Sequence, residues 1–260
     1  MYNKNKGNTT NSVVRQLEEQ EESARMKQFI ILMGNYGSGK TELAMQFALS
    51  APNPAKTLVI DLDMVNTYFR LSDRKKLFEE AGIRLITPNF ASSHVEMLTV
   101  PAEIAAAFAM DWERVVIDLG GDAGAAALGQ YKPKLLQAQR EGAEIQLYNV
   151  VNTNRPMAGT PAKLIRLQRD MERKARWNVT GLINNTNMSY ETTADDLESG
   201  YEIIKAAAEE LNLPVVYTSG KREVLDAFLQ KEHDLKYVGL PLYLEKRMHR
   251  DWETLTRKGV

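Results

Sequence analysis

Two kinds of segment alternate along this chain. Short apolar runs such as Phe29-Ile30-Ile31-Leu32-Met33 and Val115-Val116-Ile117 read as strands buried on both faces. The stretches between them repeat apolar residues every three or four positions, which reads as amphipathic helix. The pattern predicts strand 29–33, helix 40–49, strand 57–61, helix 67–81 ended by Gly82, strand 84–87, a polar loop 88–100 and helix 101–110 opened by Pro101. It then predicts strand 114–118, a helix after 119–122 carrying Leu128, Leu135 and Leu136, strand 145–151, helix 161–174, strand 179–183, helix 194–211 and strand 215–218. Strand and helix in strict alternation imply βαβ units, so the expected fold is a single-domain α/β structure: a mainly parallel twisted sheet with helices on both faces. Residues 1–26 are expected to form a polar extension whose apolar cluster is Val13, Val14 and Leu17, and the domain is expected to span 27–260. At its end Leu244, Met248, Trp252 and Leu255 share one helical face. That C-terminal helix is expected to dock on its own domain, because Asp251 and Glu253 dilute the basic face a membrane would require.

The first strand runs into Gly34-Asn35-Tyr36-Gly37-Ser38-Gly39-Lys40-Thr41, followed by Glu42 in the first helical turn. This is G-x-x-x-x-G-K-T between a strand and a helix, the setting its chemistry needs. Glycines let the backbone approach closely, so successive N–H groups can face phosphate oxygens. The helix N-terminus adds its dipole to that anion site. Lys40 can reach the β and γ phosphates, and the Thr41 hydroxyl can ligate Mg²⁺. Positions 34 to 42 are therefore candidate nucleotide contacts.

In an open parallel sheet, ligands gather beyond the carboxyl ends of the strands. Asp118 ends an apolar strand and is a candidate metal ligand, and Gly121 after it could bring its N–H to a phosphate. Asp122 opens the next helix, as its cap or as a nucleotide-sensing catalytic residue. Asp61 and Asp63 follow the second strand on the same side of an extended chain. Two carboxylates beside a triphosphate call for a cation or for a general base. Asp63 is assigned as the base or water-positioning residue and Asp61 as a partner of the metal. Arg70 and Lys75 beyond them are candidate phosphate cations, with a solvated helix face as the plainer reading.

Composition narrows the function. The chain has 260 residues, 43% of them hydrophobic, and a net charge of −1, so nothing in its charge calls for nucleic acid. No run approaches the roughly eighteen apolar residues of a membrane span, and a cytoplasmic location is expected. Absence of cysteine excludes disulfides, thiol nucleophiles and iron–sulfur clusters. His94, His233 and His249 are too scattered for a metal cage and are read as surface or packing residues.

The order of motifs resembles the SIMIBI class of P-loop NTPases, which includes the nitrogenase iron protein, the MinD and ParA partitioning ATPases, and the cobyrinic acid amide and dethiobiotin synthetases. The resemblance covers about 27–218 and rests on the phosphate loop, Asp61-Leu62-Asp63, Asp118-Leu119-Gly120-Gly121-Asp122 and an asparagine turn at 184–187. The run 59–70 looks like members described only as nucleotide-binding. The resemblance implies that Asp63 is the catalytic aspartate and that Asp118, Gly121 and Asp122 form the second switch. Asn185 would read adenine, and Pro214 would open the segment flanking the base. The sequence departs from the partitioning and iron-protein branches at Asn35, where they carry a lysine that reaches across a dimer to the partner's nucleotide. A homodimer of that kind would need another cation, such as Arg70 or Arg155. The turn lacks N-K-x-D, which favours adenine over guanine. The implied activity is that of a Mg²⁺-dependent ATPase acting as a switch on a protein partner. The alternatives are an ATP-dependent small-molecule kinase or ligase, suggested also by the polar loop 89–96, and a nucleotide-binding module without turnover.

Overall fold

The computed structural model describes residues 27–63, 70–87, 104, 108 and 110–245. The N-terminal extension, the loop 88–100, nearly all of helix 101–110 and the C-terminal helix beyond residue 245 lie outside the described residues.

Among the described residues eight strands form one sheet: β1 (Gln28–Met33), β2 (Thr57–Leu62), β3 (Arg84–Ile86), β4 (Arg114–Leu119), β5 (Glu144–Val151), β6 (Gly181–Asn184), β7 (Val215–Gly220) and β8 (Leu240–Tyr243). Their order is β3-β2-β4-β1-β5-β6-β7-β8, and every pairing is parallel. Seven α-helices are present among the described residues: α1 (Lys40–Leu49), α2 (Lys75–Glu80), α3 (Gly121–Gln130), α4 (Lys132–Arg140), α5 (Pro161–Ala175), α6 (Ala194–Leu211) and α7 (Arg222–Leu229). None of the described helices is long and apolar enough to cross a membrane.

The uninterrupted apolar strands have a direct structural cause. Alternate residues feed two separate cores, one on each face of the sheet. Ile30, Leu32, Val59 and Val116 pack with Leu43, Met45 and Phe47 of α1 and Phe78 of α2. Phe29, Ile31, Ile60, Ile117 and Leu147 pack on the opposite face with Leu128, Leu135, Leu164, Ile204 and Phe228 of α3 to α7. Phe29, Phe78 and Phe228 are fully buried, and each such side chain contributes on the order of 2–3 kcal/mol by leaving water. Because β1 sits between β4 and β5, the chain reverses its direction of growth there, and a crevice opens at the carboxyl end of β1.

Several expected elements are redrawn. The helix read over 67–81 is a 3₁₀ turn (Leu71–Arg74) followed by the short α2, because Arg70 is extended at φ −103° and ψ 146°. The helix expected to carry Leu128 through Leu136 breaks at Tyr131 into α3 and α4, and Leu136 is 39% exposed instead of buried. Two elements are additions to the sequence reading. The two-turn α7 buries Leu225 and Phe228, and β8 is an edge strand whose Leu240 and Pro241 are exposed, so neither presents a long periodic pattern. Proline at a sheet edge forfeits no interior ladder bond.

Candidate functional site

The phosphate loop is shaped by its neighbours as much as by its glycines. Gly34 passes so close to β5 that a Cβ there would lie 2.4 Å from the Val150 carbonyl oxygen. Gly37 and Gly39 adopt φ of +72° and +91°, the left-handed region that glycine enters without strain. Asn35 folds its side chain back on the loop, its Oδ1 accepting from the Tyr36 N–H at 2.8 Å. Lys40 is buried and donates to the carbonyls of Gly34 and Asn35, both at 3.1 Å. Burial lowers its pKa, and the nearby carboxylates of Asp118 and Asp63 oppose that shift.

Beside the loop lies an acidic pair. Asp61 and Asp118 are in register on neighbouring strands and are almost fully buried. Burial, and then the charge of Asp118, pushes the Asp61 carboxyl up to about 7. Burial also pushes Asp118 up to about 6, against the pull of Lys40 and a 2.7 Å hydrogen bond donated by the Thr41 hydroxyl to its Oδ2. The other oxygen of Asp118, Oδ1, is buried with no hydrogen-bond partner among the described residues. Asp61 Oδ1 accepts from the Asp63 N–H at 2.9 Å. Asp63 itself leans on Gly120: a Cβ at residue 120 would lie 2.1 Å from its Oδ1, so glycine there is what admits the carboxylate.

The asparagine-rich turns after β5 and β6 are stitched together. Asn152 Nδ2 donates to the Asn187 carbonyl at 2.9 Å, and Asn187 Nδ2 donates to the Asn185 carbonyl at 2.8 Å. Asn185 Nδ2 donates to the Ser38 carbonyl at 2.6 Å, while its Oδ1 accepts from the Ser219 hydroxyl at 2.8 Å. One buried amide thus ties the phosphate loop to β6 and β7. Arg155 closes the other side, its Nε donating to the Gly37 carbonyl at 3.0 Å. Together these groups enclose a cleft of about 720 Å³, with Lys40, Thr41, Glu42 and Asp63 at one end and Asn187, Ser189, Thr192 and Lys221 farther along the strand ends. Tyr36 and Met157, 66% and 54% exposed, stand among its lining residues.

Most residues read from the sequence converge here: Asn35, Tyr36, Gly37, Gly39, Lys40, Thr41, Glu42, Asp63 and Asn185 line the cleft, with Asp61 and Asp118 beneath it. Gly34 and Ser38 are buried in the base of the loop. Three residues stand elsewhere. Pro214 is at the amino end of β7, its carbonyl accepting from the Leu182 N–H at 2.9 Å, so the strand separates it from the cleft by roughly 20 Å. Asp122 is 71% exposed and pairs with Lys174 at 2.6 Å, outside the cleft lining. Gly121 opens α3 at φ +50° with open space beside it, also outside that lining. Lys75 pairs with Glu79 on the surface of α2, as a solvated face would, and Arg70 is not in the lining. His233 is a packing residue, its ring held between Tyr201 and Phe228. The sequence reading missed Met157, Thr192 and the role of Ser219. Only the place of Ser219 near the carboxyl end of β7 could have signalled its role, since Thr192 lies eight residues past β6, after a 3₁₀ turn.

No family model matches the chain, and no curated protein does either. Solved structures similar to it include FtsY from Mycoplasma mycoides, at 18% identity and a TM-score of 0.48 over 75% of this chain and 61% of that one. Cell division protein FtsY from Thermotoga maritima aligns at 20% identity and a TM-score of 0.46, over 88% and 80% of the two chains. A nucleotide-binding protein from Archaeoglobus fulgidus in complex with ADP aligns at 15% identity and 0.41, over 86% and 94%. The alignment thus takes in less than two thirds of the Mycoplasma chain. At these scores the fold rests on the sheet order and the loop between β1 and α1.

Proposed function

We propose that this chain is a SIMIBI-class P-loop NTPase, a Mg²⁺-dependent ATPase that works as a nucleotide-operated switch. The observation that carries the reading is the buried set Lys40, Asp61 and Asp118, with the half-buried Thr41 bonded to Asp118 and Asp63 seated on Gly120. Two buried carboxylates with raised pKa and a partnerless Asp118 Oδ1 fit a divalent cation, which would satisfy both. No cluster of three or more His, Asp or Glu side chains able to hold a metal occurs among the described residues. That suits Mg²⁺, which is commonly held by one or two carboxylates together with the phosphates of its nucleotide. Thr41 and Asp118, with Asp61 behind them, are the residues that would hold the ion. When bound it would neutralise charge on the β and γ phosphate oxygens.

Around that ion each chain residue has a separate task. Lys40 would leave its two loop carbonyls for phosphate oxygens, its charge supported by Asp118 and Asp63. Asp63 would orient the attacking water or accept its proton. The Gly120 contact and the Asp61 bond to its backbone fix where it stands. Adenine is favoured because the carboxylates in the described cleft lining are Glu42 and Asp63, both beside the phosphate loop. Guanine would ask for an acceptor pair at its N1–H and 2-amino group. The far end offers amides, hydroxyls and Lys221 instead.

Nucleotide titration and phosphate release test the reading together. Lys40→Ala should abolish tight ATP binding, whereas Asp63→Asn should retain binding and lower turnover by about 10²-fold or more. Turnover unchanged in Asp63→Asn would remove Asp63 from the mechanism. Phosphate release that needs an added metabolite would replace the switch by a kinase or ligase. Binding without any release would leave a nucleotide-binding module.

A further inference from the structure

The phosphate loop lacks a second cation of its own. Asn35 spends its side chain on the Tyr36 N–H, and Lys40 is the loop's one charged donor. Two more cations line the described cleft, Arg155 and Lys221. Lys221 stands at the far end, its Nζ 4.8 Å from the centre of the Tyr190 ring. Arg155 lies against the loop. A Cβ built on Gly37 would meet its Nε, Cζ and Nη2 at 3.0, 3.2 and 3.4 Å, so the guanidinium lies against the small face that glycine leaves. Its Nε is spent on the Gly37 carbonyl, while Nη1 and Nη2 have no hydrogen-bond or ion-pair partner among the described residues.

The turn that carries Arg155 is rigid for reasons visible around it. The Arg155 N–H donates to the Asn152 carbonyl at 3.1 Å, and its carbonyl accepts from the Ala158 N–H at 2.9 Å. Asn152 is in turn clasped by the β6 turn through Asn187. The side chain therefore reaches the loop from a fixed base, and its residue lines the cleft. A planar guanidinium so presented matches two oxygens of one phosphoryl group, which a lysine there would meet only as a point charge.

We propose that Arg155 is the site's in-chain second cation, its Nη groups pairing with the terminal phosphate of a nucleoside triphosphate bound in the loop. The proposal rests on the nucleotide reading above and deepens it: one chain would carry the charge that a lysine at position 35 would otherwise draw from a partner. Binding of ADP and of imido-bridged ATP, both with Mg²⁺, is measured on wild type, Arg155→Ala and Arg155→Lys, alongside phosphate release and a thermal melt of each. Arg155→Ala should weaken the triphosphate analogue by about tenfold or more while ADP stays within about threefold, and Arg155→Lys should recover part of the loss. Turnover in Arg155→Ala should fall by about 10²-fold or more, at or below the scale seen when such an arginine is withdrawn. An equal loss for both nucleotides would reduce Arg155 to a brace of the loop and overturn the proposal, as would no change in either. A wild type that releases no phosphate, yet whose preference for the triphosphate collapses in Arg155→Ala, would sink the ATPase reading and leave this one standing.

Discussion

Replacing Asp61 by asparagine should make the metal-free protein more stable, and the gain should depend on pH. Asp61 is 3% exposed and faces Asp118 across one strand register, and its carboxyl is pushed up to about 7. In the unfolded chain the same group titrates near 4. Between those values the folded protein holds the proton that the unfolded chain has lost. Stability therefore falls as pH rises from about 4 to about 7 and stays at the lower level above it. A difference of about three pK units corresponds to about 4 kcal/mol at pH 8, an upper value because Asp118 shares the titration. Asparagine carries no charge, and its Oδ1 still accepts from the Asp63 N–H. Its amide can also donate toward the partnerless Asp118 Oδ1. Allowing half the upper value for imperfect fit, the variant should gain about 2 kcal/mol at pH 8, which for a chain of this size raises Tm by roughly 4–8 °C. At pH 5 the gap should shrink by more than half, since most of the titration window is then above the working pH. Scanning calorimetry in EDTA from pH 5 to 8 measures it. Adding Mg²⁺ and nucleotide should reverse the order, because the wild type alone keeps both carboxylates. A gap independent of pH, or a variant less stable at pH 8, would refute the idea that these carboxylates are held at the expense of folding.

Two further substitutions probe how the site is held. Gly120→Ala places a Cβ where the Asp63 carboxylate now lies, so turnover should drop toward that of Asp63→Asn while ADP affinity stays within about threefold; phosphate release and titration check this. Asn185→Ala removes two buried bonds, leaving the Ser38 carbonyl without this donor while the Ser219 hydroxyl keeps the Asn184 carbonyl at 3.1 Å. Destabilisation of about 2–4 kcal/mol by urea unfolding, together with weaker ADP binding, is expected.

The parts of this structure that were legible in the sequence are those in which a single strand or turn decides the outcome. Apolar runs bounded by polar residues located seven of the eight strands, because a strand buried on both faces has no polar positions to hide it. Asp61 and Asp118 could be read as partners because each ends such a run, and parallel pairing in register brings strand ends together. What could not be read is how side chains from separate turns divide their bonds. Asn185 looked like a reader of the base, yet both ends of its amide are engaged with Ser38 and Ser219. Asp122 looked like a sensor on sequence spacing, but the first turn of α3 aims it at Lys174, a residue 52 positions away by number that only the packing of α3 on α5 brings near.

Pro214 stands away from the cleft for a different reason, the direction of its strand. In a parallel sheet the residues that precede a strand and those that follow it lie at opposite ends, so a group can reach the cleft only by following its strand. Asp63 follows β2, Gly120 follows β4, Arg155 follows β5, Asn185 follows β6 and Lys221 follows β7. Pro214 precedes β7, whereas Gly220 and Lys221, at the other end of the strand, line the cleft. The same rule separates the two cations offered for the vacant lysine position. Arg155 is four residues past the end of β5, in a hydrogen-bonded turn, and sits on Gly37. Arg70 is eight residues past β2, beyond an intervening segment, at the start of a 3₁₀ turn outside the cleft lining. Distance along the chain from a strand end is therefore a measure of how firmly a charge can be held over the phosphates, and by that measure Arg155 is the one to change first.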